Sequence, residues 1–179
     1  NPWINDNGDT LYYRGFDYIY GPYVRSFDGK GHIISNIYMK HHQAPKDIIG
    51  RVNCLTVKRV GFVNCTLEGG GSSLFYVDND DRDFLIEECY ITGTMEGTPQ
   101  YPYRRSYGFG RLRGGGVVRN CYSDVKIISD SAITNFGEIW EHGTGGEVIE
   151  NCYAAGSAEG PIVNSPFGYR GDVRNCFWD

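Results

Sequence analysis

The chain has 179 residues, enough for one domain, and it is rich in Gly (25) and Tyr (14) with only two Met. That balance suits many short strands joined by tight turns and fits long helices poorly. A net charge of −5 sets nucleic acid aside as a partner, because phosphate binding needs a basic stripe; no apolar run approaches the ~20 residues of a membrane helix, so no membrane insertion is expected.

In chain order, residues 1–25 carry Trp3, Tyr12, Tyr13, Phe16, Tyr18, Tyr20 and Tyr23 between the breaks Gly15, Gly21 and Pro22. An open solenoid end must be covered, so this segment reads as an aromatic cap and first coil, with a ligand-stacking face as the other reading. The chain opens Asn1-Pro2 without Met or signal peptide, which reads as a processed form or an excised piece. Asp28-Gly29-Lys30-Gly31 predicts a turn, and the alternation of Ile33, Ser35, Ile37 and Met39 predicts a half-buried strand. His41 and His42 point to opposite faces if extended, which argues against a two-His metal site. Val52–Val60 alternates as a further strand, with Cys54 on another face of the coil from Cys65. Ser73–Val77, Tyr107–Leu112, Ile133–Trp140 and Ile162–Tyr169 each read as the second strand of a coil.

A short template recurs among these elements: Ile34–Tyr38 (ISNIY), Phe62–Thr66 (FVNCT), Ile86–Tyr90 (IEECY), Val118–Tyr122 (VRNCY), Ile149–Tyr153 (IENCY) and Val173–Phe177 (VRNCF). Its core position falls at 37, 65, 89, 121, 152 and 176, in steps of 28, 24, 32, 31 and 24 residues. Repeats of this length describe supersecondary units that bury their apolar faces only by stacking. The sequence therefore predicts an all-β parallel β-helix of about six coils spanning residues 26–179, some ~30 Å long at one strand spacing per coil. Cys65, Cys89, Cys121, Cys152 and Cys176 then form one inward ladder of reduced thiols. Parallel Cβ vectors approach poorly for a bridge, and the absence of CxxC weakens a zinc site; disulfides and a metal remain the alternatives. The preceding Asn64, Asn120, Asn151 and Asn175 read as structural, since Asn tolerates a left-handed bend and hydrogen-bonds its own kind in a stack. Asn64-Cys65-Thr66 also matches a glycosylation sequon, set aside because Asn64 is expected within the ladder.

Candidate chemistry is sparse. Glycoside hydrolysis needs two carboxylates ~5–10 Å apart, for which Asp124, Asp130, Glu138, Glu141, Glu147, Glu150 and Asp172 are the candidates on one outer face. Glu87, Arg119, Glu150 and Arg174 alternate in charge at one template position shared with Ser35, a pattern that suits cross-rung pairing. The acidic run Asp78–Asp83 has Asp83 and Cys89 where a calcium loop needs Gly and Glu, so it reads as a solvated turn, with an irregular calcium site as the alternative. The insertion Thr98–Arg113 gathers Tyr101, Tyr103, Arg104, Arg105, Tyr107, Arg111 and Arg113. Tyr and Arg are enriched at recognition hot spots, and a basic loop on an acidic protein suits an acidic glycan or partner. The same rings could instead cover the chain's own apolar surface.

The opening SFDGKGHIISNIYM of Ser26–Met39, with the repeats ending NCYAAGSAEG and NCFWD, is similar to the GLUG-motif repeat family of bacterial, archaeal and viral surface proteins. The similarity covers residues 26–179. It implies a right-handed parallel β-helix used for adhesion or as a rigid spacer, with no catalytic residue to transfer. The family's Gly-Leu-hydrophobic-Gly element is echoed at Ser73-Leu74-Phe75-Tyr76, Gly108-Phe109-Gly110 and Pro166-Phe167-Gly168.

The function expected is a non-catalytic structural or adhesive module of an extracellular or virion appendage, a phage fibre, tailspike-like spike or cell-surface adhesin, with surface polysaccharide as a candidate ligand. The alternatives are a polysaccharide lyase or hydrolase, and a minor structural subunit within a larger virion or filament. No cofactor is expected. Unpaired thiols point to folding before or without disulfide formation. Further chain, another subunit or a second copy is expected to cover Phe177 and Trp178.

Overall fold

A computed structural model describes residues 3–4, 10–11, 19–20, 26–40, 47–50, 56–69, 73–78, 84–97, 106–130, 132–134, 136–140, 148–163, 166–167 and 172–179. Every regular element among them is a strand, and no helix is long and apolar enough to cross a membrane. Trp3–Ile4 and Thr10–Leu11 make a small antiparallel pair, and all other pairing is parallel. The chain is a β-solenoid: each parallel strand lies beside its equivalent one repeat further along, and none of these pairs with a near neighbour in sequence.

Three parallel sheets form its walls. The longest stacks Ser26–Ser35 and Tyr38–Lys40, then Thr56–Glu68, then Leu85–Glu87 with Tyr90–Glu96, Val117–Arg119 with Tyr122–Ile128, Val148–Glu150 with Tyr153–Ala155, and Asp172–Arg174 with Phe177–Trp178. A second sheet runs Gly137–Trp140, Gly110–Arg113, Ser73–Asp78, Asp47–Gly50, Ile19–Tyr20, and a third Ser106–Tyr107, Ala132–Thr134, Ile162–Val163. The stretches Tyr107–Leu112 and Ile133–Trp140, expected as single strands, are therefore each divided between two walls. The division falls at Phe109 and Phe136, where the chain turns inward: both rings are buried.

Those rings make the central column. Phe75, Phe109, Phe136 and Phe167 follow one another with centroids 5.1, 4.5 and 5.1 Å apart, and Phe62 meets Phe75 edge-on at 6.3 Å. Beside them, cross-layer pairing aligns the buried Val57, Ile86, Val118 and Ile149 in one row, and Met39, Leu67, Met95 and Ile127 in another.

The register also corrects the repeat. Each layer of the long sheet bends twice. At the first bend Glu88, Asn120, Asn151 and Asn175 take positive φ, and Lys30 and Arg59 do so in the layers before them. At the second, about five residues later, the positive-φ residues are Asn36, Asn64, Gly93 and Gly156. Tyr90 lies opposite Gly61 and Gly93 opposite Cys65, so Cys65 belongs to the second bend, beside Ile37, and Val60 holds the place of Cys89 in its layer. The predicted column of five thiols is thus one of four, Cys89, Cys121, Cys152 and Cys176, with Cys65 in a separate row. Aligned on the first bend, Lys30, Arg59, Glu88, Asn120, Asn151 and Asn175 follow at 29, 29, 32, 31 and 24 residues, more even than the template suggested. The template merged two bends because Asn64-Cys65 at the second carries the same left-handed Asn and buried Cys as Asn120-Cys121 at the first.

The bend likewise breaks the alternation expected from Ile33 to Met39. Ile33 and Ser35 face outward, while Ile37 and Met39, beyond the left-handed Asn36, are buried. Phase alternates only while the backbone stays extended.

The bend asparagines divide between two stacks. Asn151 Nδ2 donates to Asn120 Oδ1 (3.4 Å) and Asn175 Nδ2 to Asn151 Oδ1 (3.3 Å); separately, Asn64 Nδ2 donates to Asn36 Oδ1 (2.7 Å). All five are exposed, so they brace the outer corners while the thiols line the inside. A left-handed backbone costs most L-residues about 1–2 kcal/mol, and Asn tolerates it through its short polar side chain. Asn151→Ala is expected to lower stability by about 1–2 kcal/mol and Asn151→Gly by less, since Gly loses the amide contacts but not the backbone fit. Urea unfolding midpoints of the two variants check the order.

Candidate functional site

The inward thiols pack as small side chains against the carbonyls of the bend. Cys65, Cys89, Cys121 and Cys152 are buried, Cys176 is half-buried, and all five are unbridged. Each thiol of the column donates to the carbonyl two residues before it, at 3.2 Å, and lies 3.6–3.8 Å from a carbonyl of the preceding layer. Burial pushes the Cys65 thiol up to about 11 and also raises Cys121 and Cys176, whereas the hydrogen bond with Cys121 draws Cys89 and Cys152 down. Cysteine here is a small apolar side chain with a weak donor for the bend carbonyls.

Of the Tyr and Arg side chains expected to form a recognition surface, those of Tyr107 and Arg111 fall among the described residues. Tyr101, Tyr103, Arg104 and Arg105 lie outside them, as do Cys54, His41, His42 and Asn79–Asp83. Tyr107 is 4 % exposed, so it packs inside and cannot meet a ligand at the surface. Residues 106–110 are buried without a break, so Tyr107 is enclosed whatever the enrichment of its type at interfaces. Arg111 is half-buried, its guanidinium 5.6 Å from the centre of the Tyr76 ring.

Of the outer carboxylates, Asp124 and Asp130 are exposed and Glu150 half-buried. Lys58, Glu87, Arg119, Glu150 and Arg174 stand in one row of the register; Ser35, assigned to that row by the template, instead lies opposite Val63. Glu87 binds Lys58 (3.1 Å) and Arg119 (2.6 Å), which hold its carboxyl below the usual range, the Lys58 hydrogen bond first. No group of three metal-ligating side chains occurs among the described residues.

Two arrangements were not visible in the sequence. The first is interior: Asp47 is the one buried charged residue among those described. Its Oδ1 is hydrogen-bonded to Ser73 Oγ, which also lies 2.8 Å from the Phe75 carbonyl oxygen. Burial lifts the Asp47 carboxyl to about 7, against the smaller pull of Ser73 and of the Arg111 charge. Its partner stands 26 residues on, beyond the reach of any local pattern.

The second is a cavity of about 490 Å³ on the outside of the first bend, lined by Lys30, Arg59, Glu88 and Tyr90 over Gly31, Val60 and Gly61. Arg59 forms a two-pronged ion pair with Asp28, Nε to Oδ1 at 3.0 Å, and that pairing draws the Asp28 carboxyl down to about 2. A Cβ on Gly61 would fall 2.2–2.6 Å from the Tyr90 ring atoms, so only glycine lets that ring lie against the backbone.

Fold and surface together define a parallel β-solenoid with a polar, aromatic-edged cavity at its first bend. No protein-family model, curated protein or solved structure matches the chain.

Proposed function

We propose that this chain is a non-catalytic structural and adhesive module: a right-handed parallel β-helix of about six coils, of the GLUG-repeat kind, in an extracellular or virion surface appendage. The observation that supports this reading is the unbroken parallel pairing that runs from Tyr38 through Thr66, Thr94 and Lys126, and from Tyr90 through Tyr122 and Tyr153 to Phe177. Pairing of that kind makes a stiff spacer, because each layer is fixed by its neighbours on both sides. Outer charges that neutralise one another across layers, and thiols enclosed and unbridged inside, suit a surface that persists. Folding without disulfides fits the same picture. Val173, Phe177 and Trp178 are 43 %, 68 % and 63 % exposed, and a further layer, from this chain, another subunit or a second copy, would seat there.

The test is retention without turnover. The protein incubated with surface polysaccharides is expected to hold a subset of them on an array and to release neither reducing ends nor unsaturated sugars. Release of either at a steady rate would make it a lyase or hydrolase and end the adhesive reading.

A further inference from the structure

Two structural columns change at the same place on the outer surface. The first is the left-handed bend. Among the described residues, five of the eight non-glycine residues with positive φ are asparagines; the other three are Lys30, Arg59 and Glu88, and all three line the 490 Å³ cavity. Long charged side chains gain nothing from a left-handed backbone that Asn would fit better, and such strain tends to persist where a site needs the side chain. The second is the outward row beside the bend. Tyr90, Tyr122, Tyr153 and Phe177 stand in register, with the Tyr122 and Tyr153 rings stacked at 5.7 Å, but the row has Gly61 in the layer next to Tyr90. The missing side chain is what opens the cavity and lays the Tyr90 ring along it.

We propose that this cavity binds a neutral pyranose unit of a surface polysaccharide, an inference that rests on the adhesive reading above and assigns its site. The lining carries Lys30 and Arg59 against Glu88, with Asp28 already paired to Arg59, so the charges balance. A balanced set repays no surplus anion, which argues against a phosphate or a uronate. It offers strong donors and a strong acceptor together, and sugar hydroxyls both donate and accept. The Tyr90 ring supplies the apolar face with a polar tip that a pyranose ring covers. The volume lies within the ~300–1,000 Å³ of small-ligand sites.

The variant K30N/R59N/E88N returns the bend to the asparagine found in the later layers. It is expected to unfold at the same or a higher temperature than the parent, because the backbone strain is relieved, and to lose at least tenfold in retention of neutral hexose oligosaccharides on an array. Tyr90→Leu is expected to lose retention as well. If the parent retains neutral oligosaccharides and the folded triple variant retains them equally, the site is elsewhere while the adhesive reading stands. If the parent retains only uronate-containing oligosaccharides, the charge argument is wrong and the neutral-sugar assignment falls. If the parent retains no glycan of either set, both the site and the adhesive reading fail.

Discussion

Phe109→Ala is expected to lower the unfolding free energy by about 3–5 kcal/mol, the range for truncating a fully buried aromatic. The ring is 0 % exposed, stacked at 4.5 Å and 12° on Phe136 and tilted against Phe75 at 5.1 Å. Two losses combine: the transfer term with its residual cavity, and two aromatic contacts each worth about 0.5–1.5 kcal/mol beyond burial. The surrounding layers cannot collapse into the gap, because backbone pairing fixes the spacing of Phe75 and Phe136. At about 2–4 °C per kcal/mol for a chain of this size, the melting temperature should fall by roughly 10 °C. Phe109→Leu keeps most of the volume and loses both ring contacts, so it should fall between. Lys126→Ala, an exposed position paired with Glu159 across a screened surface, should cost less than about 1 kcal/mol. Equal effects at Phe109 and Lys126 in thermal unfolding would show that the aromatic column does not hold the layers together.

That column was only half legible in the sequence. The echoes at Ser73-Leu74-Phe75-Tyr76, Gly108-Phe109-Gly110 and Pro166-Phe167-Gly168 mark three of its members and Phe136-Gly137 repeats the Phe-Gly pair, but nothing local says that the rings divide one wall from the next. The recurring Asn-Cys pairs gave parallel stacking, buried thiols and left-handed corners, because each follows from local backbone preference and side-chain size. They could not give register. Asn64-Cys65 and Asn120-Cys121 satisfy the same local rule at different bends, and only the cross-layer pairing of Tyr90 with Gly61 separates them. The cavity was hidden for the same reason. Lys30, Arg59 and Glu88 look unrelated until register places them in one column, and Gly61 reads as an ordinary strand glycine until its row is seen to be aromatic. Tyr107 shows the converse error, in which a residue type typical of interfaces lies in a stretch, residues 106–110, that is buried throughout.

Asp47 carries the other large expected effect, and its sign is unusual for a carboxylate. Folding raises the group from an ordinary value near 4 to about 7, so between those values the folded chain holds a proton that the unfolded chain has lost. Stability from this group is then fully present below pH ~4 and is lost progressively as pH rises through about 7. The full difference is of order 4 kcal/mol, set by about 1.4 kcal/mol for each pH unit between the two values. The local geometry suits the neutral form. A protonated Asp47 can donate to Ser73 Oγ, leaving the Ser73 hydroxyl free to donate to the Phe75 carbonyl; an ionised Asp47 claims that hydroxyl for itself and leaves the carbonyl short of it. The charge that acts on Asp47 is Arg111, and its attraction is smaller than the cost of burial. Asn at this position keeps a donor toward Ser73 and cannot ionise. Asp47→Asn should therefore match the parent near pH 4 and exceed it by an amount that grows towards pH 8–9, read as the difference between urea midpoints across the range. Contributions of the opposite sign, such as Asp28, whose pairing with Arg59 is lost as pH falls from about 4 towards 2, are common to both proteins and cancel in that difference. Parallel curves would mean that Asp47 is ionised inside the solenoid at neutral pH, and that Ser73 and Arg111 hold its charge where burial alone would expel it.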